Sequence, residues 1–203
     1  WGVSIGSFLA ERLQSEGCTL AALTLKKTTD QYIRNSGVHY EMIISNDAVM
    51  EDPLGYLDGE RYSMEEICEA LGVDSIWPLV ITLRNHVRTY EEKYYYSYLQ
   101  KLPDEEILLY VQAMYKCIKI FFAEFNPDMI IGLNFVALPH IMFNLYAEQK
   151  GVPMIAFTDC KVKGLYIFTE GYRDDKGAFY DRVDLLNKGK AHSENSEKAR
   201  LYI

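Results

Sequence analysis

The chain has 203 residues, of which 49% are hydrophobic and 25% are charged, and this composition is ordinary for a globular protein. Its formal net charge of −8 arises from 21 basic and 29 acidic residues. This acidic balance disfavours binding to nucleic acid or to an anionic membrane, because both need clustered Lys and Arg. No apolar run approaches the ~18–20 residues of a membrane span, although peripheral membrane contact stays open.

The cysteine pattern excludes the common zinc-site spacings. Cys18, Cys68, Cys117 and Cys160 form no CxxC or CxxH pair. We therefore predict no metal site, and no motif indicates a cofactor. Reduced thiols, together with the lack of a signal-peptide pattern, favour a cytoplasmic protein.

The amino end predicts the second half of a βαβ unit. Gly2–Gly6 is predicted to be a loop, and Ser7–Glu16 an amphipathic helix that Gly17 ends. Thr19–Leu25 then follows as an apolar strand buried on both faces. Because a helix leads directly into this strand, we expect a preceding strand before Trp1 and a chain that is a piece of a longer protein.

The middle of the chain is predicted to be mainly helical. Tyr40–Ser45 is the third candidate strand, counting the one expected before Trp1. The Asp, Pro and Gly content of residues 46–62 predicts a loop. Ser63 and Glu66 have the spacing of a capping box, which starts a short helix. Two apolar periodicities separated by Pro103 then predict an αα-hairpin over about residues 75–126. We expect residues 63–126 to be a helical insertion in a single domain that covers residues 1–203.

The clearest pattern lies between residues 125 and 168. Met129–Leu133 and Met154–Phe157 are predicted buried strands, joined by a helix over Ala137–Lys150 that Gly151 ends. Strand, helix and strand within about 30 residues is typical of a βαβ crossover, whose strands are parallel. The predicted fold class is therefore α/β, with one Rossmann-like parallel sheet flanked by helices and a helical hairpin inserted between its second and third strands.

Candidate site residues follow the carboxyl ends of the predicted strands, where ligands of open α/β sheets bind. Asn134 follows one strand, and Asp159 and Lys161 follow the next. His140 begins the intervening helix and can act as a general base, because the pKa of an unperturbed histidine is about 6.5. The alternatives are that His140 caps or packs the helix, and that Asp159 caps a turn.

Glycines near the amino terminus provide a second candidate. Gly2 and Gly6 form a glycine pair before a helix that starts at Ser7, and backbone N–H groups of Gly2, Gly6 and Ser7 could bind an anion. A tight turn without a ligand is the alternative. The Walker, GxGxxG, GxSxG and HExxH motifs are all absent from the sequence.

Several short sequence segments together resemble a known enzyme family. Pro127-Asp128-Met-Ile-Ile-Gly, Lys150-Gly151-Val-Pro-Met-Ile and the later Tyr166-Ile-Phe are similar to the amino-terminal Rossmann-like domain of GT-B glycosyltransferases, most of all those of bacterial capsule and surface-polysaccharide synthesis. Gly2–Leu25 is similar to the first loop, helix and second strand of that domain. The resemblance covers about 70 residues well and the helical middle poorly.

This resemblance implies a two-domain transferase of which this chain is the acceptor-side half. The nucleotide-sugar donor would then bind to a carboxyl-terminal domain beyond Ile203, and the acceptor would be a saccharide or a lipid-linked sugar. Asn134 would orient the acceptor hydroxyl, His140 or Asp159 would take its proton, and Lys161 would offset phosphate charge. Half of a sugar-nucleotide epimerase and a non-catalytic α/β ligand-binding module are the alternative functions.

Overall fold

The computed structural model describes residues 2–83, 101–160 and 162–198. The elements in chain order are α1 (Gly2–Ser15), β1 (Ala21–Thr24), α2 (Lys27–Arg34), β2 (Met42–Ser45), α3 (Asn46–Glu51), α4 (Pro53–Leu57), α5 (Met64–Leu71), α6 (Trp77–Val80), α7 (Asp104–Glu124), β3 (Ile130–Gly132), α8 (Leu138–Lys150), β4 (Met154–Asp159), β5 (Tyr166–Thr169) and α9 (Ala178–Asn187). The prediction of a mixed α/β fold is confirmed.

All four predicted strands exist, but they lie in two small sheets. β1 pairs with β2 in parallel, with Ala21 opposite Met42. β3 pairs with β4 in parallel, with Ile130 opposite Met154. Each parallel pair is joined by a helix, α2 in one case and α8 in the other, as a parallel connection requires.

The prediction of one continuous parallel sheet is wrong for the described residues. β1 and β3 each have a hydrogen-bonded strand on one side only, so the two sheets stay separate. The second sheet is also mixed, because β5 pairs antiparallel with β4. The connection through residues 160–165 is too short for a parallel crossover, which explains the direction of β5.

The hydrophobic core lies among the helices. α7 buries one side along its whole length, and its Phe121 packs edge-on against Phe143 of α8 with ring centroids 5.3 Å apart. The second helix of the predicted hairpin is therefore confirmed as α7. The first helix of that hairpin falls largely on residues 84–100, outside the described residues.

Residues 46–62, predicted to be a loop, instead contain the short helices α3 and α4. Asp52 explains the second of them, since its Oδ1 accepts a hydrogen bond of 2.9 Å from the N–H of Gly55 and Pro53 begins the helix. The predicted cap at Ser63 is confirmed, because its Oγ accepts from the N–H of Glu66 at 3.1 Å. Gly72 then ends α5 in the left-handed conformation.

Candidate functional site

A cavity of about 550 Å³ lies between α1, β1 and β3. Its walls are mostly apolar and include consecutive residues of both strands and their flanks, 19–25 and 129–133. Residues Phe121, Phe125 and Phe143 close it on the side of α7 and α8. The polar side chains in this wall are few, which makes the position of each of them informative.

The amino-terminal glycines lie in a helix, so the predicted loop at Gly2–Gly6 is wrong. α1 begins at Gly2, and both Gly6 and Ser7 are half-buried in the cavity wall. A Cβ added to Gly6 would meet nothing within 4 Å, and its φ is not positive. Glycine is therefore not required there, and the expected anion-binding loop is not formed.

His140 is the candidate residue with the most informative surroundings. It lies in the first turn of α8, directly after Pro139, and it lines the cavity. Its Nδ1 is buried without a hydrogen-bond partner among the described residues. Burial also lowers the pKa of His140 below its ordinary value of 6.5, so the imidazole is neutral at pH 7. A neutral imidazole can accept or donate one hydrogen bond at each nitrogen, depending on its tautomer.

Asn134, which was also predicted for the site, is not part of this cavity wall. Asn134 is exposed, and its Oδ1 accepts a local hydrogen bond of 3.3 Å from the N–H of Val136. β4 ends at Asp159, but the side chain of Asp159 and the whole of Lys161 lie outside the described residues. Of the seven residues predicted for the site, the cavity therefore brings together Gly6, Ser7 and His140.

Thr24 is a cavity residue that the sequence analysis did not single out. It ends β1 and is buried, and its hydroxyl lies 3.3 Å from the carbonyl oxygen of Ile44 and 3.4 Å from a carboxylate oxygen of Asp30. Arg34 in turn donates to Asp30 at 2.7 Å. Thr24 lies one residue before the end of the predicted strand Thr19–Leu25, and this position was a signal that could have found it. Its hydroxyl is already used to join β1, α2 and β2.

Two further types of site were sought across the described ranges. No group of three or more His, Cys, Asp or Glu there is placed to hold a metal ion. No helix within the same ranges is both long and apolar enough to cross a membrane. The site is thus characterised by an apolar cavity and one neutral histidine. No protein-family model, curated protein or solved structure matches this chain.

Proposed function

We propose that this chain is the acceptor-side domain of a glycosyltransferase of the GT-B type, which acts in surface-polysaccharide synthesis. In this proposal a nucleotide sugar binds to another domain, and a saccharide or lipid-linked acceptor binds here. The proposal starts from the sequence resemblance at Pro127–Gly132 and Lys150–Ile155. It also uses the two strand–helix–strand units, which are the building blocks of a Rossmann-like domain.

The state of His140 is the observation that carries the proposal. A general base must be neutral before it acts, and burial keeps this imidazole neutral at pH 7. It must also have a free nitrogen near the substrate, and the buried Nδ1 has no partner among the described residues. The adjacent cavity of about 550 Å³ is within the usual size range of small-molecule sites.

The reaction places a defined step on His140. The imidazole takes the proton of an acceptor hydroxyl while that oxygen forms a bond to the anomeric carbon of the donor sugar. The bond from that carbon to the nucleoside diphosphate breaks, and the diphosphate leaves with the bonding electron pair. Lys161 offsets acceptor phosphate, and Asp159 is the alternative base. Base catalysis of this kind typically contributes ~10²–10⁴-fold to the rate.

Ligand-observed NMR on this chain tests the binding part of the proposal. We expect a panel of mono- and disaccharides to contain at least one that binds, and His140→Ala to abolish that binding. His39→Ala is the matched control, because His39 is exposed and its side chain lies beside Glu41 in its own loop. Saccharide binding that survives His140→Ala would contradict the assigned site.

The same titration distinguishes the alternative functions. Sub-millimolar binding of a nucleoside-diphosphate sugar would overturn the acceptor-side assignment and favour half of a sugar-nucleotide epimerase. Binding to neither class of ligand would favour a non-catalytic module. In an enzyme that contains this domain, His140→Ala and Asp159→Asn should each lower turnover without unfolding it, and wild-type rates in both variants would place the chemistry elsewhere.

A further inference from the structure

We propose that the space between β1 and β3 is a slot for one extended strand of polypeptide. This strand would directly precede α1 in the chain and run parallel to β1. The slot is defined by residues 19–25 on one side and residues 129–133 on the other. This inference concerns the backbone edges of the two strands. It competes with the proposed saccharide site, because both occupants would fill the same cavity.

The pattern of wall residues shows that the cavity runs along strand edges. Successive side chains of a strand point to opposite faces, so a pocket on one face touches every second residue. Here the cavity touches seven consecutive residues, 19–25, and five consecutive residues, 129–133. A ligand in this space would therefore lie beside the hydrogen-bonding edges of β1 and β3, next to their backbone N–H and C=O groups.

Both edges are open to a new strand. Among the described residues β1 is paired only with β2, and β3 only with β4, although each strand can form a ladder on both sides. Backbone N–H and C=O groups left without partners away from water are costly, which favours an occupant that can bond to both edges. A small apolar ligand cannot do so, whereas an extended peptide carries matching groups along its whole length.

The two faces of the slot are apolar, as a central strand requires. On one face lie the α1 residues Ile5, Leu9 and Leu13, one helical turn apart. On the other face lie Phe121, Phe125 and Phe143. Ala10 is the only buried residue among the described side chains of α1, so its apolar stripe is incompletely covered. A strand of apolar residues would cover both faces at once.

The connection to α1 determines the source and direction of the strand. α1 returns through residues 16–20 to the start of β1. A strand that feeds the amino end of such a helix runs parallel to the strand that follows it and lies in the same sheet, in a right-handed crossover. The resulting order would be β2, β1, the new strand, β3, β4, which is the order of a doubly wound sheet with its first strand in the centre.

Grafting a strand onto the chain tests the inference. An apolar strand of about six residues, rich in Val and Ile, is fused directly before Trp1. We expect the exchange of backbone amides in Ala21–Thr24 and Ile130–Gly132 to slow by about tenfold or more. The matched controls are the same strand fused after Ile203 and an amino-terminal strand with proline at its centre, and neither should slow exchange.

The outcomes separate the parts of the inference. No added protection from the amino-terminal strand would overturn the slot. Equal protection from the strand placed after Ile203 would overturn its assignment to the amino end of α1. If the fused chain is insoluble, the same peptide is added in trans to the unmodified chain, and the NMR signals of Leu23 and Ile131 should shift. Absence of a shift at both residues would also overturn the slot.

Discussion

The helical region and the strand region of this protein differ in how completely their apolar surfaces are covered. In α5, α7 and α8, side chains such as Leu71, Met114 and Met142 are fully buried against one another. In the strand region, β1, β2 and β3 are mostly half-buried, and α1 faces a cavity. The helical region therefore has a completely packed core. The strand region has open strand edges and apolar faces against which a further segment of polypeptide can pack.

The joint between the two regions is made of specific bonds. The buried hydroxyl of Tyr110 in α7 donates to Oδ1 of Asn46 at 2.7 Å, directly after β2. In the other sheet, Nδ2 of Asn144 donates to the carbonyl of Glu170 at 3.0 Å, and its Oδ1 accepts from the N–H of Tyr172 at 3.1 Å. Each sheet is thus held to the helices separately, which explains how the gap between β1 and β3 can stay open.

A pair of leucine truncations tests this contrast with the largest expected effect. Leu71→Ala should lower the free energy of unfolding by about 2–5 kcal/mol, because Leu71 is fully buried and its removal leaves a cavity. Leu9→Ala should cost less than about 1.5 kcal/mol, because Leu9 already faces open space. Urea unfolding of both variants measures the difference. Equal losses would show that the strand region is as well packed as the helices.

The grafted strand sharpens the same comparison. With the slot filled, Leu9 would gain a packing partner, so Leu9→Ala in the grafted chain should cost more than in the original chain. The cost of Leu71→Ala should not change, since Leu71 belongs to the buried core cluster and Leu9 lines the cavity outside that cluster.

The helices and the βαβ unit could be predicted because their signals are local. Ser63 and Gly72 mark the ends of α5, and Gly151 marks the end of α8, through short-range backbone chemistry. The separation of β1 from β3 could not be predicted, because strand pairing depends on contacts distant in sequence. The start of α1 differs from the predicted start at Ser7, because Gly2 and Gly6 each cost only ~1 kcal/mol in a helix and do not prevent one from forming.

The candidate site was predictable only in part, for a similar reason. The position of His140 at the start of a helix follows from the βαβ pattern, but the burial of its Nδ1 depends on distant residues that surround the cavity. Asn134 satisfies a local turn instead of pointing to a ligand. A sequence pattern can therefore place a polar residue at a strand end without showing whether a local backbone group already binds it.

A prediction of intermediate size concerns the dependence of stability on pH. Burial lowers the folded-state pKa of His140 below the ordinary value of 6.5, so the unfolded chain takes up a proton first as the pH falls. Its contribution to stability is fully present above pH about 6.5 and is lost as the pH falls through the folded pKa, by about 1.4 kcal/mol for each unit of difference.

Replacement of His140 isolates this effect. In His140→Leu the loss of stability between pH 6.5 and lower pH should shrink, and the unfolding free energy at pH 7 should stay equal or rise by up to about 1–3 kcal/mol, because an unpaired buried nitrogen is removed. His39→Ala, at an exposed position, should keep the wild-type slope. A slope that survives in His140→Leu would assign the titration to another group. Thermal or urea unfolding across this pH range provides the measurement.

The smallest expected effects come from two helix caps, one in each region. Oγ of Ser63 accepts from the N–H of Glu66 at 3.1 Å, so Ser63→Ala should lower the free energy of unfolding by about 1 kcal/mol. Oγ of Ser45, at the end of β2, accepts from the N–H of Ala48 at 3.4 Å. This longer bond caps the six-residue helix α3, so Ser45→Ala should cost only a few tenths of a kcal/mol. Urea unfolding with matched m-values measures both. If Ser45→Ala lowered the free energy of unfolding more than Ser63→Ala, the cap at the end of β2 would contribute more to stability than the cap of α5 in the helical region.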